Sequence, residues 1–445
     1  MIAAMRQGWT AAGLAGLLAL LPLTASGQDG DSLAPEARLT VGQQIAVEDG
    51  SLIGVTPLDL SLRTGTRVQT LQVTLSAPFR LNDPQEDGSF ALGDPAARLL
   101  YRRGARNSAI EAEFGYRESD LEREILFDDL SNEFLVVDDG RVAQTDARMT
   151  YVFGTQAPLG GEVGLSWVRR DYSGTTAPDL EDSETRRANL ALYLEPTPLI
   201  RGRIVASSSR TEDDDGSESR SDRIGAGAAM QVDKVTNLDV ELARTDIRRD
   251  EEDGSETAEG PSIRLGLTRS RPLGDWSLSF ASDPGTAGRR ENLTLGRSLD
   301  LRRFTLSGQV GVTRFNGNYD PVFQIAYRQE VSRLSTVQAS LRRAGVTDSD
   351  GDEALSTDLS ASVSRQLSEV STIGANIRYR ESEVQSGDSQ DARSVSFGLD
   401  YSRALPADFA LVAGANIIRS KNSSGTREDE ERVYLGVNRS FDFLR

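Results

Sequence analysis

Apolar and polar residues alternate along most of the chain after residue 38. The alternation is clear in Ile110–Tyr116, Val163–Trp167, Phe304–Val312, Ile373–Tyr379 and Val395–Tyr401, where every second residue is apolar or small. A period of two places successive side chains on opposite faces of a β-strand. The pattern therefore predicts a series of strands, each with one apolar face and one polar face.

The segments between these predicted strands are of two kinds, which alternate along the chain. Short turns are predicted at 64–66, 104–106, 195–198, 272–274 and 405–407. Longer, acidic segments occur at 80–96, 119–143, 211–221, 248–260, 346–357, 381–392 and 420–431. Short turns on one side and longer loops on the other are typical of a transmembrane β-barrel, with the short turns in the periplasm. We predict an all-β, antiparallel up-and-down barrel at 39–445 with about 22 strands, and 18 or 20 strands also fit the pattern.

The first residues have the features of an export signal. Arg6 precedes an apolar run from Trp9 to Leu21, and the small residues Ala25 and Gly27 flank the expected cleavage position. This arrangement predicts a signal peptide at 1–27 and a short periplasmic segment at 28–38. A membrane anchor is the alternative, but the apolar run is shorter than the roughly 20 residues that a spanning helix needs. We therefore expect export to the outer membrane of a Gram-negative bacterium.

Composition excludes several kinds of chemistry. The chain contains no Cys and no His, which excludes disulfides, thiolate metal sites, and catalysis or metal binding by imidazole. Its formal net charge of −18 disfavours nucleic acid as a partner, because phosphate binding needs a basic surface. We expect no enzymatic activity, no cofactor and no specific metal site. Acidic runs at 213–215, 250–253, 348–353 and 428–431 lack the ligand spacing of a calcium loop.

Charged residues also occur on the polar faces of the predicted strands, where we expect them to line the lumen. They are Glu111, Glu113, Glu162, Arg201, Arg203, Asp239, Glu241, Arg342, Arg378, Arg380 and Asp400. Acids are concentrated on the early and middle strands, and arginines on the later ones. Opposed acidic and basic walls would create a transverse field that selects polar solutes. The alternative is a set of ion pairs that neutralise one another.

The acidic segment 120–141 also contains apolar side chains, which rarely remain in water. We expect it to fold into the mouth of the barrel as a constriction, or to pack on the rim or against another subunit.

A short arginine-containing pattern recurs where strands approach a predicted periplasmic turn. Its regular copies contain Arg297, Arg365, Arg403 and Arg439, and a looser copy at 326–330 contains Arg328. These arginines are predicted to follow the frame of the apolar residues. An arginine in that frame costs about 2–4 kcal/mol at mid-membrane but about 0–1 kcal/mol near the interface. We therefore predict a girdle at the periplasmic interface, which either binds lipid phosphates or is a solvated strand end.

The C-terminal strand adds Phe441 and Phe443 to this predicted girdle. It resembles the terminal signal that the barrel-assembly machinery reads, although Leu444 and Arg445 follow the last aromatic residue. Leu39–Gln43, Thr64–Leu75 and Ser364–Ser368 are similar to segments of the outer-membrane β-barrel porin families of Proteobacteria. This resemblance implies a barrel in the outer membrane and no particular substrate.

Two functions fit this sequence. The first is a porin-like channel for passive passage of small polar solutes or an exported polymer. The alternative is a structural or surface-interaction barrel with acidic extracellular loops and no open pore. The expected partners are outer-membrane lipid, lipopolysaccharide bridged to acidic loops by divalent cations, and the barrel-assembly machinery. The residues between Gln28 and the first predicted strand leave no room for a plug domain.

Overall fold

The computed structural model describes residues 32–82, 90–120, 140–175, 180–251, 254–347, 353–386, 391–422, 425 and 427–444. The predicted signal peptide at 1–27 and nearly all of the acidic segment 120–141 lie outside these residues. No helix in the described ranges is long and apolar enough to cross a membrane.

The described residues form one closed, antiparallel sheet. Each strand pairs with its neighbour along the chain, and the last strand pairs with the first from Ala37↔Leu444 to Glu48↔Arg432. The strands are β1 (Ser32–Glu48), β2 (Ser51–Thr66), β3 (Gln69–Leu81), β4 (Phe90–Leu92), β5 (Ala96–Ala105), β6 (Ser108–Asp120), β7 (Arg141–Phe153), β8 (Leu159–Ser173), β9 (Ser183–Thr197), β10 (Ile200–Asp213), β11 (Glu218–Asp233), β12 (Thr236–Glu251), β13 (Gly254–Arg271), β14 (Gly274–Asp283), β15 (Arg290–Leu301), β16 (Phe304–Phe315), β17 (Asn318–Ser332), β18 (Ser335–Thr347), β19 (Glu353–Ser368), β20 (Ser371–Ser386), β21 (Ala392–Ala404), β22 (Phe409–Asn422) and β23 (Arg427–Leu444).

Strands β4 and β5 together occupy a single strand position in the barrel wall, which we call a stave. Both pair with β3: Leu81 is opposite Phe90 in β4, and Ser76 is opposite Ala96 in β5. Between them the amide of Gly93 donates to the carbonyl of Pro78 at 2.7 Å, which keeps the interrupted stave against β3. Counted this way, the described residues form 22 staves, and the predicted fold is confirmed.

The outer surface has an apolar belt. Large apolar side chains at every second position are exposed, while their neighbours in sequence face inward. Examples are Leu165 and Met149, Leu190 and Leu192, Ile204, Ile224, Leu242, Leu265 and Leu267, Leu293 and Leu295, Val310, Leu399, and Val433 and Leu435. A soluble protein rarely exposes so large an apolar surface, whereas a membrane barrel presents one to lipid. The chain is therefore an outer-membrane β-barrel, as predicted.

Several strands are longer than the alternating pattern indicated. Strand β1 begins at Ser32, so most of the segment 28–38 that we assigned to a periplasmic segment pairs with β2. The acidic segment 248–260 is mostly strand, because β12 and β13 pair as far as Glu251↔Gly254. Outside the lipid a strand needs no apolar face, so its backbone pairing continues after the alternation stops.

Two tight turns on the long-loop side carry a sequence signal that the pattern analysis missed. Asp49-Gly50 joins β1 to β2, and Asn316-Gly317 joins β16 to β17. All four residues have positive φ, from 47° to 85°. Asp-Gly and Asn-Gly favour such two-residue hairpin turns, because these residues tolerate the left-handed conformation. The predicted turn at 64–66 is displaced, since these residues end β2 and Arg67-Val68 make the turn.

Candidate functional site

The lumen is the candidate site, and every charged residue predicted to line it lies on the inward side of its strand. The inward side is identified by the neighbouring exposed apolar residues and by side-chain contacts between strands that do not pair. Arg203 on β10, for example, contacts Asp239 at 2.5 Å on β12, across β11. These observations give the direction of each side chain, and the selectivity of the lumen stays a prediction.

The early wall of the lumen contains a ladder of ion pairs. Arg102 on β5 lies 2.7 Å from Glu111 on β6, and Arg98 lies 2.6 Å from Glu113. Both arginines are more than half exposed, as expected for a wall that faces an open lumen. Because each acid has a cation on the neighbouring strand, this wall is close to neutral rather than acidic.

The middle wall contains a second, less exposed group of charges. Glu241 is 8% exposed and contacts Arg203 at 2.8 Å and Arg223 at 2.5 Å. Arg223 also faces Asp283 at 3.5 Å, three strands away on β14, and Arg264 is 3.8 Å from Glu241. This network across five strands, β10 to β14, compensates the acids that the sequence placed here.

The later wall, from β15 to β21, has a different character. Arg328 on β17, Arg342 on β18 and Arg378 on β20 are exposed and form no ion pair within the described part of the chain. Hydroxyl and amide side chains stand between them, and a concave space of about 1030 Å³ is lined by Arg328 and Arg378. Its other inward lining residues include Gln338, Ser340, Ser360, Ser362, Asn376 and Ser396. The same space is also lined by Asp275 and Asp300, so this wall carries carboxylates as well as arginines that form no ion pair.

One later arginine, however, is neutralised. Arg380 on β20 lies 2.8 Å from Asp358 on β19 and is only 10% exposed. Among the other predicted lining residues, Arg201 pairs with Glu195 beside the ring of Tyr193, whereas Glu162 and Asp400 form no ion pair among the described residues. The described lumen charges therefore form local ion pairs on much of the early and middle walls, whereas the later wall carries both arginines and acids that lack an ion pair among the described residues.

The structure corrects the placement of Arg328 within the arginine repeat. Strand β17 presents Tyr319 and Ile325 outward, and Val322 is buried inside the barrel. Arg328 shares the frame of Val322, so it faces the lumen instead of the lipid. The outward frame of Phe323, Ile325 and Tyr327 was visible in the sequence and would have placed Arg328 correctly.

The sequence analysis missed several charged side chains that contact one another at the extracellular mouth. Arg290, at the start of β15, forms an ion pair with Glu353, at the start of β19, and donates to the carbonyl of Val346 at 3.2 Å. Four strands span roughly 19 Å of wall at about 4.8 Å per strand, so the wall must bend inward for this contact. Near the closure of the sheet between β1 and β23, Arg80 on β3 lies 2.5 Å from the buried Glu48 on β1.

The predicted girdle residues lie on the outward face near the short turns. Arg297 lies over the ring of Trp276, 4.9 Å from its centroid, and donates to the carbonyl of Gly274 at 3.2 Å. Arg439 lies between the rings of Phe409 at 4.9 Å and Phe441 at 4.7 Å. Arg365 and Arg403 are exposed, and Phe443 stacks on Phe441 with centroids 6.4 Å apart.

Outward arginines at the other end of the barrel have acidic partners. Arg244 lies 2.5 Å from Glu259, and Arg248 lies 2.8 Å from Asp250. Near the end of β12, hydrogen bonds from Arg248 and then from Ser255 lower the pKa of Asp250 below its usual range. Such pairs satisfy charges on the strand extensions that the sequence analysis had read as loops.

Among the described residues, no group of three or more acidic side chains is arranged to hold a metal ion.

The fold and its polar lumen define an outer-membrane β-barrel, and comparison with solved structures agrees. The chain is similar to the FrpB iron transporter from Neisseria meningitidis, with 10% identity, a TM-score of 0.61, and coverage of 93% of this chain and 83% of that one. It is also similar to the ferric-catecholate import receptor Fiu from E. coli K12, with 10% identity, a TM-score of 0.60, and coverage of 93% and 82%. A variant of the ferric enterobactin receptor PfeA from Pseudomonas aeruginosa has 11% identity, a TM-score of 0.55, and coverage of 92% and 80%.

At these identities the similarity shows the fold alone. No protein-family profile matches the chain, and no curated protein matches it in sequence. The comparisons support an outer-membrane barrel and no particular porin family.

Proposed function

We propose that the chain is a porin-like channel for passive passage of small polar solutes, and that the arginines of the later wall attract anions within it. The observation that carries this proposal is the later wall, where Arg328, Arg342 and Arg378 have no acidic partner among the described residues. The similar structures are named for iron transport and ferric-catecholate import. We carry over from them only the general activity, which is movement of a solute through the outer membrane.

The reason for this attraction is electrostatic. Exposed guanidinium groups beside hydroxyl and amide side chains attract anions and replace part of their hydration shell. The acids of the early and middle walls do not oppose this field, because Arg102, Arg203 and Arg223 already compensate them. Asp275 and Asp300 line the same space as Arg328 and Arg378, so the contribution of the arginines is measured as the change in selectivity when they are removed.

The direct test is single-channel recording of the full chain in planar bilayers with a salt gradient. We expect discrete conductance steps, and the reversal potential in the gradient gives the relative permeability to anions and cations. Changing Arg328, Arg342 and Arg378 together to Gln should move the reversal potential toward cation selectivity. The matched control changes Arg302, Arg303 and Arg333 to Gln, which removes three charges from the exposed turns between β15 and β16 and between β17 and β18 and should leave selectivity unchanged. A folded barrel that never conducts would contradict the proposal.

One observation favours the second candidate, a structural or surface-interaction barrel without an open pore. Inward side chains at the extracellular end are buried: Ala354 is 0% and Arg170 is 1% exposed. A packed mouth would block solute passage even where the periplasmic half of the lumen is wide. Conductance of the wild-type chain separates the two candidates, since this second one predicts none.

The remaining expectations are proposals of the same kind. We propose no enzymatic activity, and we keep lipopolysaccharide and the barrel-assembly machinery as expected partners of a barrel in this membrane.

A further inference from the structure

We propose that the periplasmic rim arginines bind the headgroup phosphates of anionic phospholipids. This name denotes the outward-facing Arg269, Arg297, Arg365, Arg403 and Arg439. The proposal concerns the lipid surface of the barrel and does not depend on whether the lumen conducts.

The rim arginines all lie close to the short-turn ends of their strands. They lie on β13, β15, β19, β21 and β23, one to five residues before each strand ends on the short-turn side. All five strands run toward that side, so the arginines lie near one level of the outer surface. Members on successive descending strands are two staves apart, which corresponds to about 10 Å along the rim.

The rim arginines also lack acidic partners at ion-pair distance among the described residues. No rim arginine forms an ion pair with any residue in the described ranges, although Arg269 interacts electrostatically with the exposed Asp233. The outward arginines at the other end form ion pairs repeatedly. Arg297 and Arg439 instead lie against aromatic rings. A ring attracts the guanidinium but does not neutralise it, and it does not satisfy the five N–H donors. The rim therefore carries charge that a phosphate oxygen can compensate.

The surroundings favour a lipid over free phosphate. Two residues deeper on each strand than Arg269, Arg297, Arg365 and Arg439 lies an apolar side chain that is 39–49% exposed. These side chains are Leu267, Leu295, Val363 and Val437. A phospholipid can place its acyl chain on this apolar surface and its phosphate against the arginine above it. Guanidinium binds phosphate with two parallel hydrogen bonds, which a lysine cannot reproduce.

The experiment measures binding of short-chain phosphatidylglycerol and of phosphatidylcholine with the same acyl chains to the folded barrel in detergent, by native mass spectrometry. We expect the wild type to prefer phosphatidylglycerol. Changing Arg365, Arg403 and Arg439 together to Gln should weaken this preference on the order of a hundredfold, since one arginine near an anionic surface contributes roughly fivefold. The corresponding triple Lys variant should retain part of the preference.

The matched control changes Arg244, Arg248 and Arg419 to Gln, which removes three outward charges that have acidic partners. It should bind phosphatidylglycerol as the wild type does. Heat-modifiable migration on gels checks that each variant is folded, and Arg439→Gln alone replaces the triple variant if that does not fold. Equal binding of the two lipids by the wild type, or an unchanged preference in the Gln variant, would overturn the proposal whatever the conductance measurements show.

Discussion

Arginines at the two ends of the barrel have different surroundings. At the extracellular end, outward arginines such as Arg244 and Arg248 lie against carboxylates, and inward charges such as Glu353 are buried. At the periplasmic end, outward arginines have no acidic partner among the described residues, and the inward Arg38 and Arg102 are more than half exposed.

The difference follows from where each strand leaves the lipid. Strands β9 to β13 continue past the apolar belt on the extracellular side, and their water-facing charges compensate one another across neighbouring strands. On the periplasmic side the strands stop at two- to five-residue turns within a few residues of the belt. Arginines there lie at the lipid interface, where headgroups can take the place of a protein acid.

The largest expected effect comes from breaking the packed extracellular end. Arg290→Gln removes a cation that faces Glu353, whose side chain is only 4% exposed. Removing one partner of a buried ion pair costs about 3–5 kcal/mol. We expect a loss of that size in the free energy of unfolding, measured by urea titration of the barrel in phospholipid vesicles. The comparison variant Arg328→Gln, on the exposed periplasmic half of the lumen, should change stability by less than about 1 kcal/mol. Equal losses in the two variants would remove the distinction between the ends.

An intermediate effect is expected between the ends, within the apolar belt. Leu293 is exposed to lipid on the strand that carries Arg297. Leu293→Arg should lower the free energy of unfolding by about 2–4 kcal/mol, because an arginine near mid-membrane cannot reach the headgroups. Leu299→Arg, on the same strand and beyond Arg297, should cost about 0–1 kcal/mol. If the two positions cost the same, the belt does not end where the rim arginines lie.

The smallest effect is expected for the outward ion pairs of the extracellular end. Arg244 and Glu259 are 61% and 70% exposed, so water screens their attraction. A double-mutant cycle with Arg244→Gln and Glu259→Gln should give a coupling energy of about 0.2–1 kcal/mol. A coupling above about 2 kcal/mol would mean that these pairs hold the strand extensions together, rather than only satisfying their charge.

Particular residues show how far sequence patterns reach in this barrel. The inward position of Glu111, Asp239 and Arg378 follows from their neighbours alone, because the side-chain direction alternates along a strand. Arg328 was wrongly predicted to face the lipid, because the arginine repeat was matched without checking which neighbouring positions of the strand are apolar. Glu353 was read as part of an acidic loop, although it begins β19 inside the mouth.

The partners of the lumen charges were beyond sequence patterns. Arg203 reaches Asp239 across one strand, and Arg290 reaches Glu353 across three. Such contacts depend on the stagger and curvature of the closed wall, which no local pattern encodes. Strand ends were also misplaced, since backbone pairing continues in water after the apolar frame stops.

The sequence by itself determined the class of fold, the outward and inward faces, and the rim level of Arg297, Arg365, Arg403 and Arg439. It did so because a strand's two faces and the lipid around it impose a local period on the residues. Only the tertiary structure decided which walls are neutral, which arginines remain uncompensated and where the mouth narrows. Those properties arise when strands distant in sequence meet across a closed sheet.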